Sequence, residues 1–301
     1  MSKGLAEKFT DLFKPQAPLW ACELTPKHII IAGVNHTRNA IRSRIASALP
    51  GDLVASSYSE PNIRDADLVR STLNNLLSEA GFTGSEIALV LPDDIVRIAF
   101  LSLENRSKNS EEEQTFIRWK LKKTVPFDVD SAQIAYRNLG SRAGSSAVDI
   151  LVALSPRSII EEYENLFDSM DIHAGLVVPS TLAALSLLNP PPGDSLVVKA
   201  APDCVTTTVF KEGRIQFYRR IADVFSLYDA AYPTVMYYQD KLGGSGFGHL
   251  FVCGYDQDVR MATSELQEKL GLTAQRIEPA SIDDIFKPVL GSVHLAWQNL
   301  I

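Results

Sequence analysis

The chain has 301 residues, 46% of them apolar and 22% charged, with a formal net charge of −7. That is enough for one large domain or two medium ones, each with its own core, and it carries no basic face for phosphate contacts, so a nucleic-acid binder is disfavoured. No apolar run approaches the roughly 20 residues that span a bilayer, and Lys3 to Phe13 lacks the apolar core of a signal peptide, so a cytoplasmic protein is expected.

Residues 4–13 place Leu5, Phe9, Leu12 and Phe13 on one helical face, which reads either as a short amphipathic anchor for a membrane or partner or as a frayed terminus. Trp20–Leu24 and Ile29–Val34 read as a hairpin across Thr25-Pro26-Lys27-His28, and Ala40–Leu49 as a short helix. Asp65–Ala80 has helical spacing at Val69, Leu73, Leu76 and Leu77, with Gly81 placed to close it. Ile87–Leu91 and Val96–Leu103 follow as strands. Ser110 and Glu113 make a capping box for a helix that ends before Pro126, acidic at its start and basic at its end. Strands near Ile134–Tyr136 and Val148–Leu154 precede a helix opened by Ser155-Pro156. A strand at Leu176–Val178 and a helix near Thr181–Leu188 lead to the break Pro190-Pro191-Pro192-Gly193, the strongest boundary signal in the chain.

Ser195–Arg220 reads as a meander of short strands, with Lys199 at a strand end and Ala201 in the turn beyond it. A helix from Pro233 to Leu242, a strand at His249–Cys253 and helices over Asp256–Leu270 and Ile285–Leu300 complete an α/β chain. Gly243–Gly248 looks like a phosphate loop, but it precedes a strand instead of joining a strand to a helix, so a flexible connector is expected. Cys22, Cys204 and Cys253 are widely spaced in apolar contexts and read as core residues; the five histidines lack metal-ligand spacing, so no metal is expected.

Three segments carry a family resemblance: Glu111–Tyr136 with its Pro126-Phe127, Val148–Ile172, and Val177–Asn189. In this order they resemble PilM, the actin-like component of type IV pilus assembly related to FtsA and to the GspL cytoplasmic domain. The resemblance implies a two-lobed, ribonuclease-H-like fold. Its first lobe would comprise 17–96 plus 174–190, an inserted subdomain 97–173, and a truncated second lobe 191–301, after a flexible or amphipathic segment 1–16. It also implies a partner, the cytoplasmic tail of a PilN-like single-span membrane protein, with motor ATPases and self-association as further contacts and only peripheral contact with the inner membrane.

An actin-like cleft holds nucleotide through two glycine-bearing hairpin turns and metal through carboxylates at strand ends. Here the first turn keeps Glu23 but has Thr25 for glycine, Pro26 without an N–H, Lys27, and Ile30 where the family has lysine. The second has Lys199 for the acid and Ala201 for the glycine, and Gly254-Tyr255 stands where two glycines are expected. Only about 30 residues separate Ile221 from Phe251, too few for the adenosine-side subdomain. The resemblance therefore implies a non-catalytic scaffold without ATP or Mg²⁺. Direct contact of Lys199 with phosphate, in a slow ATPase or nucleotide switch, stays open as the alternative, as does a GspL-like secretion component. The tail groove is expected near Arg97, Phe100, Trp119, Pro126 and Phe127, which could equally be core residues of the insert.

Overall fold

The computed structural model describes residues 17–104, 110–141, 147–202, 204–222, 226–255 and 258–298; the amphipathic reading of 4–13 lies outside them. β1 (Trp20–Leu24), β2 (His28–Val34) and β3 (Ile41–Ala48) form an antiparallel meander. After α1 (Ala66–Ala80), β4 (Glu86–Leu91) pairs parallel with β1. The chain then builds a separate small sheet: β5 (Arg97–Leu103), α2 (Ser110–Leu121), β6 (Ala132–Ser141) and β7 (Val148–Pro156), in strand order β5-β7-β6. α3 (Arg157–Asp168) leads to β8 (His173–Pro179), which returns to the first sheet parallel to β4 and gives the order β3-β2-β1-β4-β8.

A second five-stranded sheet repeats this plan. Beyond α4 (Ser180–Leu185), β9 (Ser195–Ala200), β10 (Cys204–Lys211) and β11 (Arg214–Ala222) make the meander. α5 (Leu227–Leu242) precedes β12 (His249–Gly254), and α6 (Asp258–Leu270) precedes β13 (Ala274–Arg276). The order is β11-β10-β9-β12-β13, with the last two strands parallel to β9, matching the first sheet strand for strand. Between β11 and β12 the only described element is α5.

α7 (Lys287–Gln298) ends the described chain. It leaves the second sheet and packs through Val289, Leu290 and Val293 on Ile30, Ala32 and Val90 of the first. α3 likewise packs on the first sheet, where Ile159, Tyr163 and Phe167 join Leu73 and Leu77 of α1. α7 lies hard against α4: a Cβ on Gly291 would fall inside the van der Waals envelope of the Ala183 carbonyl, which is backbone and cannot swing aside. Gly291→Ala should therefore destabilise the protein by about 1–3 kcal/mol or more, read as a lower urea midpoint at unchanged slope.

Three expectations need correction. Ala40–Leu49 is not a helix but contains β3, whose residues alternate between half-buried and exposed positions, the period of an edge strand and not of a helix. The helix assigned to begin at Pro233 begins at Leu227, capped by the Ser226 hydroxyl, with Pro233 inside it. Gly243–Gly248 is no flexible connector. Gly243 closes α5 in the left-handed conformation, and Phe247 stacks on Tyr238 at 4.0 Å. The Tyr238 hydroxyl donates to the Gly246 carbonyl at 2.9 Å and to Asp194 at 2.6 Å.

Candidate functional site

The two repeats face each other through their first hairpin turns. Glu23 of β1 pairs with Val90, and Lys199 of β9 pairs with Cys253. The turns close with equivalent bonds, Thr25 N–H to the His28 carbonyl at 2.9 Å and Ala201 N–H to the Cys204 carbonyl at 2.8 Å. Glu23 and Lys199 therefore hold the same place in the two repeats, as do Thr25 and Ala201, and Pro26 and Pro202.

The backbone donors of the first turn are all spent or missing. Thr25 N–H is used as above, Pro26 has none, and the N–H groups of Lys27 and His28 donate to the Thr25 hydroxyl oxygen at 3.3 and 2.9 Å. That hydroxyl in turn donates to the His28 carbonyl at 3.1 Å. Anion binding at a turn needs convergent free N–H groups; this turn offers none. Lys27 is exposed, while Ile30 is buried in the core under α7.

Between the turns the seam is filled. The 3₁₀ turn Asp93–Ile95, just after β4, places the fully buried Asp93 carboxylate across from Lys199, with Nζ 3.1 Å from Oδ2. Asp93 also accepts from Thr181 N–H at 2.9 Å, from the Thr181 hydroxyl at 2.7 Å and from the Tyr218 hydroxyl at 3.2 Å. Thr206 and Thr181 share a hydroxyl bond of 2.7 Å. Beside this pair, the Tyr255 hydroxyl donates to Glu23 at 2.6 Å and lies 3.0 Å from the Ser180 hydroxyl. The tyrosine ring covers Lys199, with the ammonium 5.0 Å from the centroid. Asp94 is paired with Arg220 nearer the surface. The space left among Glu23, Thr25, Asp93, Ser180, Ala201 and Tyr255 is about 10 Å³, the size of one water, against the roughly 300 Å³ or more of an ordinary ligand pocket.

Burial sets the protonation of this cluster. Glu23 is pushed up to about 7 by desolvation, opposed by Lys199 and by the hydroxyls of Ser180 and Tyr255. For Lys199, burial alone would lower the pKa, but the Asp93 and Glu23 carboxylates outweigh it and hold the ammonium above its ordinary value. Gly254 N–H meets Asp284 at 3.4 Å. Sequence reasoning found Glu23, Lys199 and Tyr255 but missed Asp93, Asp94, Thr181, Tyr218 and Arg220. The signal available was an acidic pair, Asp93-Asp94, one proline beyond the apolar run Ile87–Leu91. Among the described residues no group of three or more His, Cys, Asp or Glu side chains is arranged to hold a metal ion, and no described helix is long and apolar enough to cross a membrane.

A second feature lies between the first sheet and the small sheet. A 290 Å³ cavity opens between β6 and β8, each the terminal strand of its sheet, and is floored by α3. Arg157, Ile160, Glu161 and Glu164 present one helical stripe to it, and Arg157 donates to Gln133 of β6 at 3.1 Å. Glu164 is raised by burial and by the neighbouring Asp168 and Glu161. Of the five residues expected near a groove, none lines this cavity. Arg97 and Phe127 meet around Tyr58, at 5.3 and 5.2 Å. Phe100 is half-buried on β5 and Pro126 is exposed. Trp119, 67% exposed, stands beside Phe116 and Lys120 on the outer face of α2.

Two matching sheets joined at their hairpin turns, with a small subdomain inserted between the last two strands of the first, define an actin-like fold. No family model and no curated protein matches the chain. Among solved structures it is similar to the PilM–PilN type IV pilus biogenesis complex, with 15% identity and a TM-score of 0.73 over 94% of this chain and 99% of that one. It is also similar to a Bacteroides thetaiotaomicron protein with an actin-like ATPase fold and unknown function (10%, 0.58, 93% and 97%). A third likeness is to the cytoplasmic domain of EpsL, an inner-membrane component of the Vibrio cholerae type II secretion system (11%, 0.52, 93% and 94%).

Proposed function

We propose that this protein is a non-catalytic scaffold at the inner face of a membrane, binding the extended cytoplasmic tail of a PilN-like protein within a type IV pilus or related secretion platform. The observation that carries the reading is the cavity between the terminal strands β6 and β8. An extended chain entering there finds strand edges that pair with no further described strand, an apolar floor at Ile160, Val177 and Val178, and both charge signs at Arg157 and Glu164. The similarity to a PilM–PilN complex favours such an occupant. The filled seam, with its spent turn donors, supports a role without turnover, leaving the fold to present surfaces to partners, motor components among them.

The test is titration calorimetry of the full chain with the N-terminal tail peptide of a PilN-like protein encoded beside it. Saturable binding is expected, weakened about tenfold or more by Ile160→Asp, which puts a charge on the apolar floor. No binding, or binding indifferent to Ile160→Asp, sinks the assignment. Titration with ATP and Mg²⁺ should give no heat of binding; micromolar affinity would return the nucleotide-switch reading.

A further inference from the structure

Charge is segregated by lobe along the seam. The carboxylates Glu23, Asp93 and Asp94 come from the first sheet and the turn after β4; the cations Lys199 and Arg220 come from the second sheet. Every polar bond described above between the two repeats joins these sets or the hydroxyls beside them: Lys199 and Tyr218 to Asp93, Arg220 to Asp94, Tyr255 to Glu23 and Ser180, and Thr206 to Thr181. Lys199 sits at the centre with a side chain 1% exposed, one carboxylate and one aromatic face as its partners.

An ammonium removed from water is costly unless a paired anion compensates it, and Asp93 can do so only while the lobes are together. Opening the seam by even one water layer would replace the 3.1 Å contact with a solvated, screened pair. We propose that Lys199 is a built-in cation which, paired with Asp93, clamps the two lobes closed with nothing bound between them. Lobe closure in this protein is then a fixed property of the chain, and the partner groove on the first lobe sits in a body whose shape does not follow a ligand at the seam. Lobe closure through this pair does not depend on what occupies the groove.

The test is a spin-label distance measurement on the full chain, with labels at Ser78→Cys on α1 and Gln239→Cys on α5, one on each lobe. Both positions are exposed, whereas the native thiols Cys22, Cys204 and Cys253 are buried. The labelled protein otherwise unchanged should give one narrow distance that Mg²⁺-ATP leaves in place. Because Lys199→Met alone leaves Asp93 uncompensated and can simply unfold, the decisive variant is Lys199→Met with Asp93→Asn. It removes both charges and keeps a side-chain oxygen for the Thr181 N–H. The expected result is a cooperative thermal transition together with a distance distribution shifted outward and broadened. A narrow, unshifted distance in a folded double variant overturns the clamp, as does failure of that variant to fold, which would make the pair a requirement of the core. A nucleotide-induced shift in the unsubstituted pair of lobes overturns it too.

Discussion

Lys199→Met is expected to cost roughly 3–5 kcal/mol of unfolding free energy at neutral pH, measured by urea titration followed by circular dichroism. The size follows from what is left behind. Asp93 has no exposed side-chain surface, and its three other donors, Thr181 N–H and the hydroxyls of Thr181 and Tyr218, are neutral. Deleting the ammonium strands a fully buried carboxylate without a compensating charge. Lys199→Asp should be worse, because it gathers Glu23, Asp93 and the new acid into one buried volume. Arg220→Ala should cost less, under about 2 kcal/mol, since the Arg220–Asp94 pair lies nearer solvent, with side chains 18% and 12% exposed. Equal losses at Lys199 and Arg220 would mean that burial does not govern the energetics of the seam.

How much of this could be read beforehand depends on how local the signal is. The helices and most strands announce themselves through their own periodicity, as α1 does at Val69, Leu73, Leu76 and Leu77. One exception is β3, an edge strand whose half-exposed alternation leaves too little apolar contrast to outvote its helix-compatible Ala and Arg residues, and another is the three-residue β13, too short to show a period. From sequence α5 reads short because a proline suits the first turn of a helix, whereas Ser226 and Asp229 carry the capping signal.

The seam was half legible. Lys199 and Ala201 stand out because each replaces a residue type that an actin-like turn needs, and Thr25 and Pro26 do so likewise. Their partner Asp93 lies 106 positions away and belongs to a different repeat, so no window along the chain joins it to Lys199. The repeat itself offers a route: the two Thr/Ala-Pro turns are 176 residues apart, and aligning them sets Glu23 opposite Lys199 before any coordinate is known. The cavity between β6 and β8 was the least legible part. Ile160 reads as core by its spacing, and only the coincidence of Arg157, Glu161 and Glu164 on the same stripe hints at a lined cavity rather than a packed face.

The seam also predicts a pH dependence with a definite sign. Glu23 faces the Tyr255 and Ser180 hydroxyls, the Lys199 ammonium and, at longer range, Asp93, and burial raises its pKa to about 7 in the folded protein from the ordinary 4.5. In the unfolded chain the carboxyl loses its proton near 4.5; in the folded chain it keeps it until about 7. Between those values the folded state binds more protons, so the contribution is complete below pH 4.5, falls as pH rises, and is gone above 7. That difference corresponds to roughly 3 kcal/mol between the two ends of the window. Glu23→Gln keeps an oxygen to accept from Tyr255 and cannot ionise. Its melting temperature should therefore lack this decline and exceed that of the unsubstituted protein at pH 8. Subtracting the two pH profiles removes every other titrating group. A difference that stays flat from pH 4.5 to 7, or that grows in favour of the carboxylate, would mean that Lys199 holds Glu23 ionised and that Lys199 alone faces two full negative charges, those of Glu23 and Asp93.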